Sequence, residues 1–268
     1  DKIQRSLKKG EFTEEELNTR VRKILRAKYW FGLNHYMPIE TKSLHDDLTH
    51  SKGKALQLSL YAKAITVVTN KKNELPIGSI EMRSFASLSI GLDSGNNFQN
   101  TLSLYAPLDY FSIPKNADAV QFEKLLIQLA NYETIIIDLH GVNNFNTKNY
   151  GITENTIKFI EKISSQKNVL LSVFGNPYAL KFFPTSATLI CAYEDNEITQ
   201  KLVPQLLFGG IQATGKLPVT AHNNFPVGKG ISTSPEIKRL SYAFPENVGI
   251  DSKTLSYVDS ICLKACLL

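Results

Sequence analysis

The sequence predicts an α/β domain, a three-layer α/β/α sandwich around a mostly parallel sheet of about six strands. Two runs, Thr134-Ile135-Ile136-Ile137-Asp138-Leu139 and Val169-Leu170-Leu171-Ser172-Val173, are apolar almost throughout. A strand exposed on one side alternates polar and apolar residues, so these read as strands buried on both faces. Such runs alternate along the chain with segments of helical apolar period, the signature of strand–helix–strand units. With 43% hydrophobic and 21% charged residues over 268 positions, the chain has enough apolar surface for a sizeable core.

The elements follow in order. Thr13-Glu14-Glu15-Glu16 is a capping box, in which Thr13 accepts from the Glu16 amide while Glu16 reaches back. Three acids in that turn suit the positive helix end. Leu17, Val21, Ile24 and Leu25 recur at helical spacing, so a helix spans residues 13–31 and Gly32 closes it. Residues 34–48 are polar, contain Pro38 and read as a linker. A second helix covers residues 51–62, with Ala55, Leu58 and Ala62 on one side. Residues 65–69 form the first strand, and 80–90 and 101–105 the next two. A helix over 117–132 carries the stripe Val120, Leu125, Leu126 and Leu129. Residues 134–139 are a buried strand, 153–164 a helix, and 168–173 and 188–192 two further strands. Asp195 is expected to cap a helix running to residue 208, with Ile198, Leu202, Leu206 and Leu207 inward. Asp251 caps a final helix bearing Leu255, Val258, Ile261 and Cys262.

Composition excludes several classes. The formal net charge is +5, and no long block of like charges occurs. The densest basic segment, residues 20–28, lies on one helix and reads as a solvated face, so no nucleic-acid partner is expected. No stretch approaches the ~18 apolar residues of a membrane span. Cys191 sits in an apolar run as a small buried hydrophobe, and Cys262 and Cys266 are one helical turn apart. No disulfide framework, metal site or cofactor is expected, and the compartment stays open. The start, Asp1-Lys2-Ile3-Gln4, is not a signal peptide and reads as the interior of a longer chain.

Gly210-Ile211-Gln212-Ala213-Thr214-Gly215-Lys216 matches the opening of a phosphate-cradling loop. A working one follows a strand and opens a helix. Here a helix precedes it, Leu217 stands where a hydroxyl would hold magnesium, and Pro218 follows. Gly209 and Gly210 therefore read as a helix exit. No strand end carries G-x-G-x-x-G, so the sheet is Rossmann-like without a nucleotide site. No G-x-S-x-G elbow occurs, and Ser260 and Lys264 are one residue too far apart for S-x-x-K.

Four residues stand at strand ends, where sheets of this kind gather function: Asp138, His140, Tyr178 and Glu194. Asp138 and His140 are candidates for an acid–base couple, and the competing reading has Asp138 satisfying loop amides. Tyr178 follows Asn176 and Pro177, which start a short helix, and is either part of that cap or a contact to another domain. Glu194 is a candidate ligand contact. His35, His45, His50 and His222 are scattered and form no metal pattern.

Several segments together resemble the second domain of glycoside hydrolase family three. They are VRKILRAKYWFGL (residues 21–33), AKAITVVTNKKNELPI (62–77), SVFGNPYAL (172–180), LICAYEDNEITQ (189–200) and LLFGGIQATGKLPVT (206–220). LSYAFPENVGIDSKTLSYVDSI (240–261) resembles the linker and first helix of a β-lactamase-like domain fused behind such a unit. The resemblance implies that residues 1–33 are the last helix of a barrel domain, 34–50 a linker, 51–242 the sandwich, and 243–268 a linker and truncated helix. It implies a parent enzyme that hydrolyses terminal β-linked sugars, N-acetylhexosamine in this branch, with retention. The nucleophilic Asp and the His-containing acid/base loop of that branch belong to the barrel. No K-H-x-P-G-H stretch occurs here, so no catalytic residue is assigned to this chain. Other branches place an acid/base Glu in the second domain, and only Glu194 is suitably positioned, without a motif to support it. The implied role is to pack on the barrel and lend a loop to the cleft, with carbohydrate bound only by the full-length protein. A stand-alone carbohydrate-binding module, and a catalytic domain using Asp138, His140 or Glu194, are the alternatives. Export to the periplasm or cell envelope is suggested by the resemblance alone.

Overall fold

The computed structural model describes residues 2–38, 40–183, 187–233 and 239–266. The chain divides into two units, Asp1–His50 and Ser51–Leu268. In the first, α1 (Lys2–Lys8) and α2 (Glu14–Trp30) precede a short α3 (Leu44–Leu48). The capping box on α2 forms as expected. Thr13 Oγ1 accepts from the Glu16 amide at 3.2 Å, and Glu16 Oε2 accepts from the Thr13 amide at 2.8 Å. Val21, Ile24, Leu25, Trp30 and Phe31 are exposed.

The second unit opens with α4 (Ser51–Ala64) and holds six strands: β1 (Thr66–Thr69), β2 (Phe85–Ile90), β3 (Asp109–Ile113), β4 (Thr134–Leu139), β5 (Asn168–Val173) and β6 (Thr188–Cys191). Between and after them run α5 (Asn97–Leu102), α6 (Ala119–Gln128), α7 (Glu154–Gln166), α8 (Glu197–Leu207) and α9 (Ser252–Cys266). The sheet order is β1-β6-β5-β4-β2-β3, parallel except for β1, which runs antiparallel to β6 at one edge.

Side chains alternate across each strand, so each strand feeds two cores. Leu88, Ile135, Ile137, Leu171 and Leu189 face α6 and α7, where Phe122, Phe159 and Ile160 pack. Phe85, Ile136, Leu170 and Ile190 face the other way, onto Phe98 and Leu102 of α5 and Leu202 and Leu206 of α8. This is the three-layer sandwich that the buried strands imply.

The structure corrects three expected elements. Residues 101–105 are not a strand: α5 takes up Thr101 and Leu102, because Asn96 Oδ1 accepts from the Gln99 amide at 3.0 Å and starts a helix there. The strand beside β2 is instead β3, further on. The strand expected over 80–90 begins only at Phe85, after a single 3-10 turn at Ile80–Met82. Val120 leaves the expected stripe of α6 and is exposed, while Phe122 takes the inward position.

The chain leaves β2 toward β3 on one side and returns to β4 on the other. The strand order therefore reverses between β2 and β4. Beyond the carboxyl ends of such a pair lies the crevice where open α/β sheets place their functional groups.

Candidate functional site

The side chains at that crevice follow from register. Ser89 of β2 pairs with Asp138 of β4, and Asp138 pairs with Ser172 of β5. All three sit on the α5/α8 face, since Phe85, Ile136 and Leu170 of the same strands belong to that core. Asp138 and Ser172 are completely buried. Ser89 Oγ donates to Asp138 Oδ2 at 2.5 Å, and Asn96 Nδ2 donates to Ser89 Oγ at 2.6 Å.

His140 follows β4 directly, its amide extending the ladder to the Ile90 carbonyl at 2.9 Å. Its ring stacks on Phe174, with centroids 4.5 Å apart and planes inclined by 16°. His140 Nε2 lies 2.9 Å from Asp138 Oδ2, and Nδ1 lies 2.8 Å from Asp195 Oδ1. Asp195 comes from the turn between β6 and α8. Its Oδ1 also accepts from Gln200 Nε2 at 2.9 Å, and its Oδ2 from the Gly141 amide at 3.3 Å. A chain of polar contacts thus runs from the cap of α5 through Ser89, Asp138, His140 and Asp195 to α8.

Both ring nitrogens of His140 face carboxylate oxygens, an arrangement that favours the doubly protonated ring. Burial alone would push its pKa down. The hydrogen bonds to Asp138 and Asp195, with their charges, outweigh burial and raise the pKa to about 9. Burial likewise acts to raise Asp195, but the His140 hydrogen bond and charge, with Gln200 and Gly141, hold it below the ordinary carboxylate value. Burial pushes the Asp138 carboxyl up, against the hydrogen bonds from His140 and Ser89. Its Oδ1 is buried with no hydrogen-bond partner among the described residues.

This arrangement limits the chemistry. Both ring nitrogens are engaged by carboxylates, which leaves no lone pair to act as a base, and the His140 side chain is 1% exposed. Of the three ionisable groups only Asp195 reaches the surface, its side chain being 30% exposed. The cluster braces β2, β4 and the β6–α8 turn across the crevice, with a single carboxylate showing outward.

Of the four sequence candidates, the structure brings together Asp138 and His140. The reading in which Asp138 serves loop amides is corrected: it serves Ser89 and His140. Glu194 is exposed outside the cluster, and its carbonyl accepts from Thr199 Oγ1 at 2.8 Å. Tyr178 is also apart and is 41% exposed, its amide donating to Asn176 Oδ1 at 3.0 Å. The expectation that Asp195 caps α8 is overturned. Asn196 is the cap, its Oδ1 accepting from the Thr199 amide at 3.0 Å, which frees Asp195 for His140. Asp195 is therefore the site residue that sequence reasoning missed. The adjacency of Asp195 and Asn196, two residues of capping type where one cap is needed, was the available signal.

The glycines of the phosphate-loop lookalike end α8. The Gly209 and Gly210 amides donate to the Leu206 and Gln205 carbonyls at 3.2 and 2.7 Å. Among the described residues no cluster of three or more His, Cys, Asp or Glu side chains suits a metal ion. Among them, too, no helix is long and apolar enough to cross a membrane.

No protein-family model matches the chain, and no curated protein matches it. Solved structures do. A glycoside hydrolase family 3 β-N-acetylglucosaminidase from Paenibacillus sp. str. FPU-7 is 14% identical with a TM-score of 0.55, over 78% of this chain and 40% of that one. The β-glucoside phosphorylase BglX is 22% identical with a TM-score of 0.55, over 80% of this chain and 40% of that one. A β-glucosidase from Listeria innocua, in complex with glucose, is 16% identical with a TM-score of 0.58, over 80% of this chain and 33% of that one. The chain thus spans two fifths or less of the length of these structures. At these identities the likeness shows the fold: the six-stranded sandwich is an architecture that these glycosidase and phosphorylase chains carry over part of their length.

Proposed function

We propose that the chain is a non-catalytic second domain of a retaining β-N-acetylhexosaminidase or β-glucosidase of the family-three type. The observation that carries the reading is the matched span: most of this chain corresponds to two fifths or less of each glycosidase. The remainder of such an enzyme is then the partner, a barrel domain that supplies the nucleophile and the acid/base. In this reading residues 1–33 end the barrel, 34–50 link the domains, and 51–242 form the sandwich that packs on the barrel and lends a rim loop to its cleft. Residues 243–268 lead into a β-lactamase-like domain. Asn247 of that segment is tied to α4, its Nδ2 donating to the Ala55 carbonyl and to Ser59 Oγ, both at 2.9 Å. The burial of Asp138 and His140 supports a scaffold role, because a substrate has no access to them.

The test is a chromogenic N-acetylglucosaminide assay on this chain and on the full-length gene product. The chain alone is expected to show no turnover and the full-length protein to hydrolyse the substrate. Hydrolysis by the chain alone, abolished by Asp195→Asn, overturns the non-catalytic assignment. Absence of hydrolysis by the full-length protein on both glucosaminide and glucoside overturns the hydrolase assignment.

A further inference from the structure

At the opposite end of the strands from His140, a cavity of about 660 Å³ opens beside the carboxyl end of β1 and the amino end of β2. Arg83, just before β2, lines it and donates to Thr134 Oγ1 at the start of β4 at 2.7 Å. The Lys71 amide donates to Thr188 Oγ1 at the start of β6 at 3.1 Å. The volume falls within the ~300–1,000 Å³ of small-molecule sites.

Its walls are held in place. Asn70 Oδ1 accepts from the Leu75 amide at 3.0 Å, the Ile231 amide donates to the Val67 carbonyl at 2.8 Å, and Thr233 Oγ1 accepts from the Ala213 amide at 2.9 Å. Arg83 is ion-paired with Glu74, and its guanidinium lies over the Phe85 ring at 5.5 Å. By contrast, the side chains of the lining residues Asn73, Ser79 and Ser232 are exposed and make no hydrogen bond among the described residues.

The chemistry of the lining selects a ligand class. Glu74 already meets the charge of Arg83, and among the described residues no other charged side chain lines the cavity. Among the described residues no aromatic ring lines the cavity to stack a planar base. Among the described residues there remain one amide and two hydroxyls, free to donate and accept, and the buried Arg83 Nε–H, which has no hydrogen-bond partner, beside apolar surface from Pro76 and Ile231. A small sugar carries that mixture, with hydroxyls around its edge and C–H groups on its faces.

We propose that this cavity binds a neutral polyhydroxylated compound, a saccharide of one or two residues, through Asn73, Ser79 and Ser232. Pro76 and Ile231 cover its C–H face. Such a site does not depend on where glycoside cleavage occurs.

The experiment is a titration of the 268-residue chain, followed by amide NMR and calorimetry. The probes are glucose, N-acetylglucosamine, cellobiose and N,N′-diacetylchitobiose, with inorganic phosphate as the charged control. At least one saccharide is expected to bind with Kd of about 1 mM and to shift amides of residues 70–79 and 231–233. The Asn73→Ala/Ser232→Ala double variant weakens binding about tenfold, with a small drop in melting temperature because Asn73 sits at φ +55°. Ser79→Ala, read separately, keeps the test decisive if the double variant melts early. The proposal is overturned by silence from every saccharide up to ~50 mM, by shifts confined to the rim around Tyr178 and Asp195, or by saturation with phosphate alone. None of these outcomes bears on the turnover assay, so the two readings fail separately.

Discussion

His140 Nδ1 lies 2.8 Å from Asp195 Oδ1, and the contact joins the end of β4 to the turn before α8. On the other side of the ring Asp138 supplies a second carboxylate. One imidazolium is thereby shared between a completely buried acid and a partly exposed one. The ring also compensates a carboxylate that would otherwise lie buried in the crevice between β2 and β4 without a counter-charge.

His140→Ala is expected to destabilise the chain by about 3–5 kcal/mol, since it removes the counter-charge from a fully buried Asp138. Asp195→Asn leaves the Asp138 contact in place and is expected to cost less, about 1–3 kcal/mol. Urea unfolding of the three proteins measures both. Equal losses would mean that the surface-side carboxylate does the bracing.

Stability should also fall on the alkaline side. Below the ordinary imidazole value of 6.5, the ring is protonated in both the folded and the unfolded chain, and its contribution is complete. Above that value only the folded state holds the proton, so stability declines as pH rises and the contribution is lost beyond about 9. Asp195 acts in the opposite sense: its lowered value gives stability above the ordinary 3.8 that is lost as pH falls through the folded value. Unfolding midpoints from pH 6 to 10 should slope for the parent chain and flatten for His140→Gln, and nitrogen NMR near neutrality should show both ring nitrogens protonated.

What the sequence showed of this arrangement was set by distance along the chain. β4 and β5 were legible because both faces of each strand are buried, which leaves an unbroken apolar run. Strand β3 was not, because at a sheet edge Asp109 and Ser112 are exposed and no such run forms. The segment 101–105 misled because Leu102 and Leu104 alternate with polar neighbours, yet Leu102 is buried from a helix and Leu104 is exposed. Asp138 and His140 were visible as neighbours at a strand end. Asp195 lies 55 residues from His140, and nothing local marks a partner at that range. The local signal, a carboxylate before a helix, pointed instead to capping, a role that Asn196 performs.

Ser172→Ala should leave stability unchanged or raise it slightly. Ser172 Oγ is buried in register beside Asp138 and has no hydrogen-bond partner among the described residues. A buried hydroxyl without a partner costs about 1–3 kcal/mol of desolvation, and alanine removes it at little loss of volume. A drop of similar size on substitution would show that the hydroxyl is engaged with Asp138.

Gly175→Ala is expected to be among the most damaging single changes in the domain, for two separable reasons. Gly175 has φ +146°, a backbone region that L side chains rarely adopt. An added Cβ would also stand 2.5 Å from the Val142 carbonyl oxygen and 2.6 Å from Val142 Cβ, and Val142 lies two residues beyond His140. Gly228 separates the two causes, because its φ is +81° yet a Cβ there meets nothing within 4 Å. Gly228→Ala should therefore cost only the backbone strain, about 1 kcal/mol, and Gly175→Ala about 2–4 kcal/mol. The excess arises from displacing the loop after β4, so Gly175→Ala should also perturb the His140 ring signals while Gly228→Ala leaves them in place. Equal melting temperatures for the two variants would mean that Val142 yields freely, and that the turn following His140 is not held by its packing against the β5 loop.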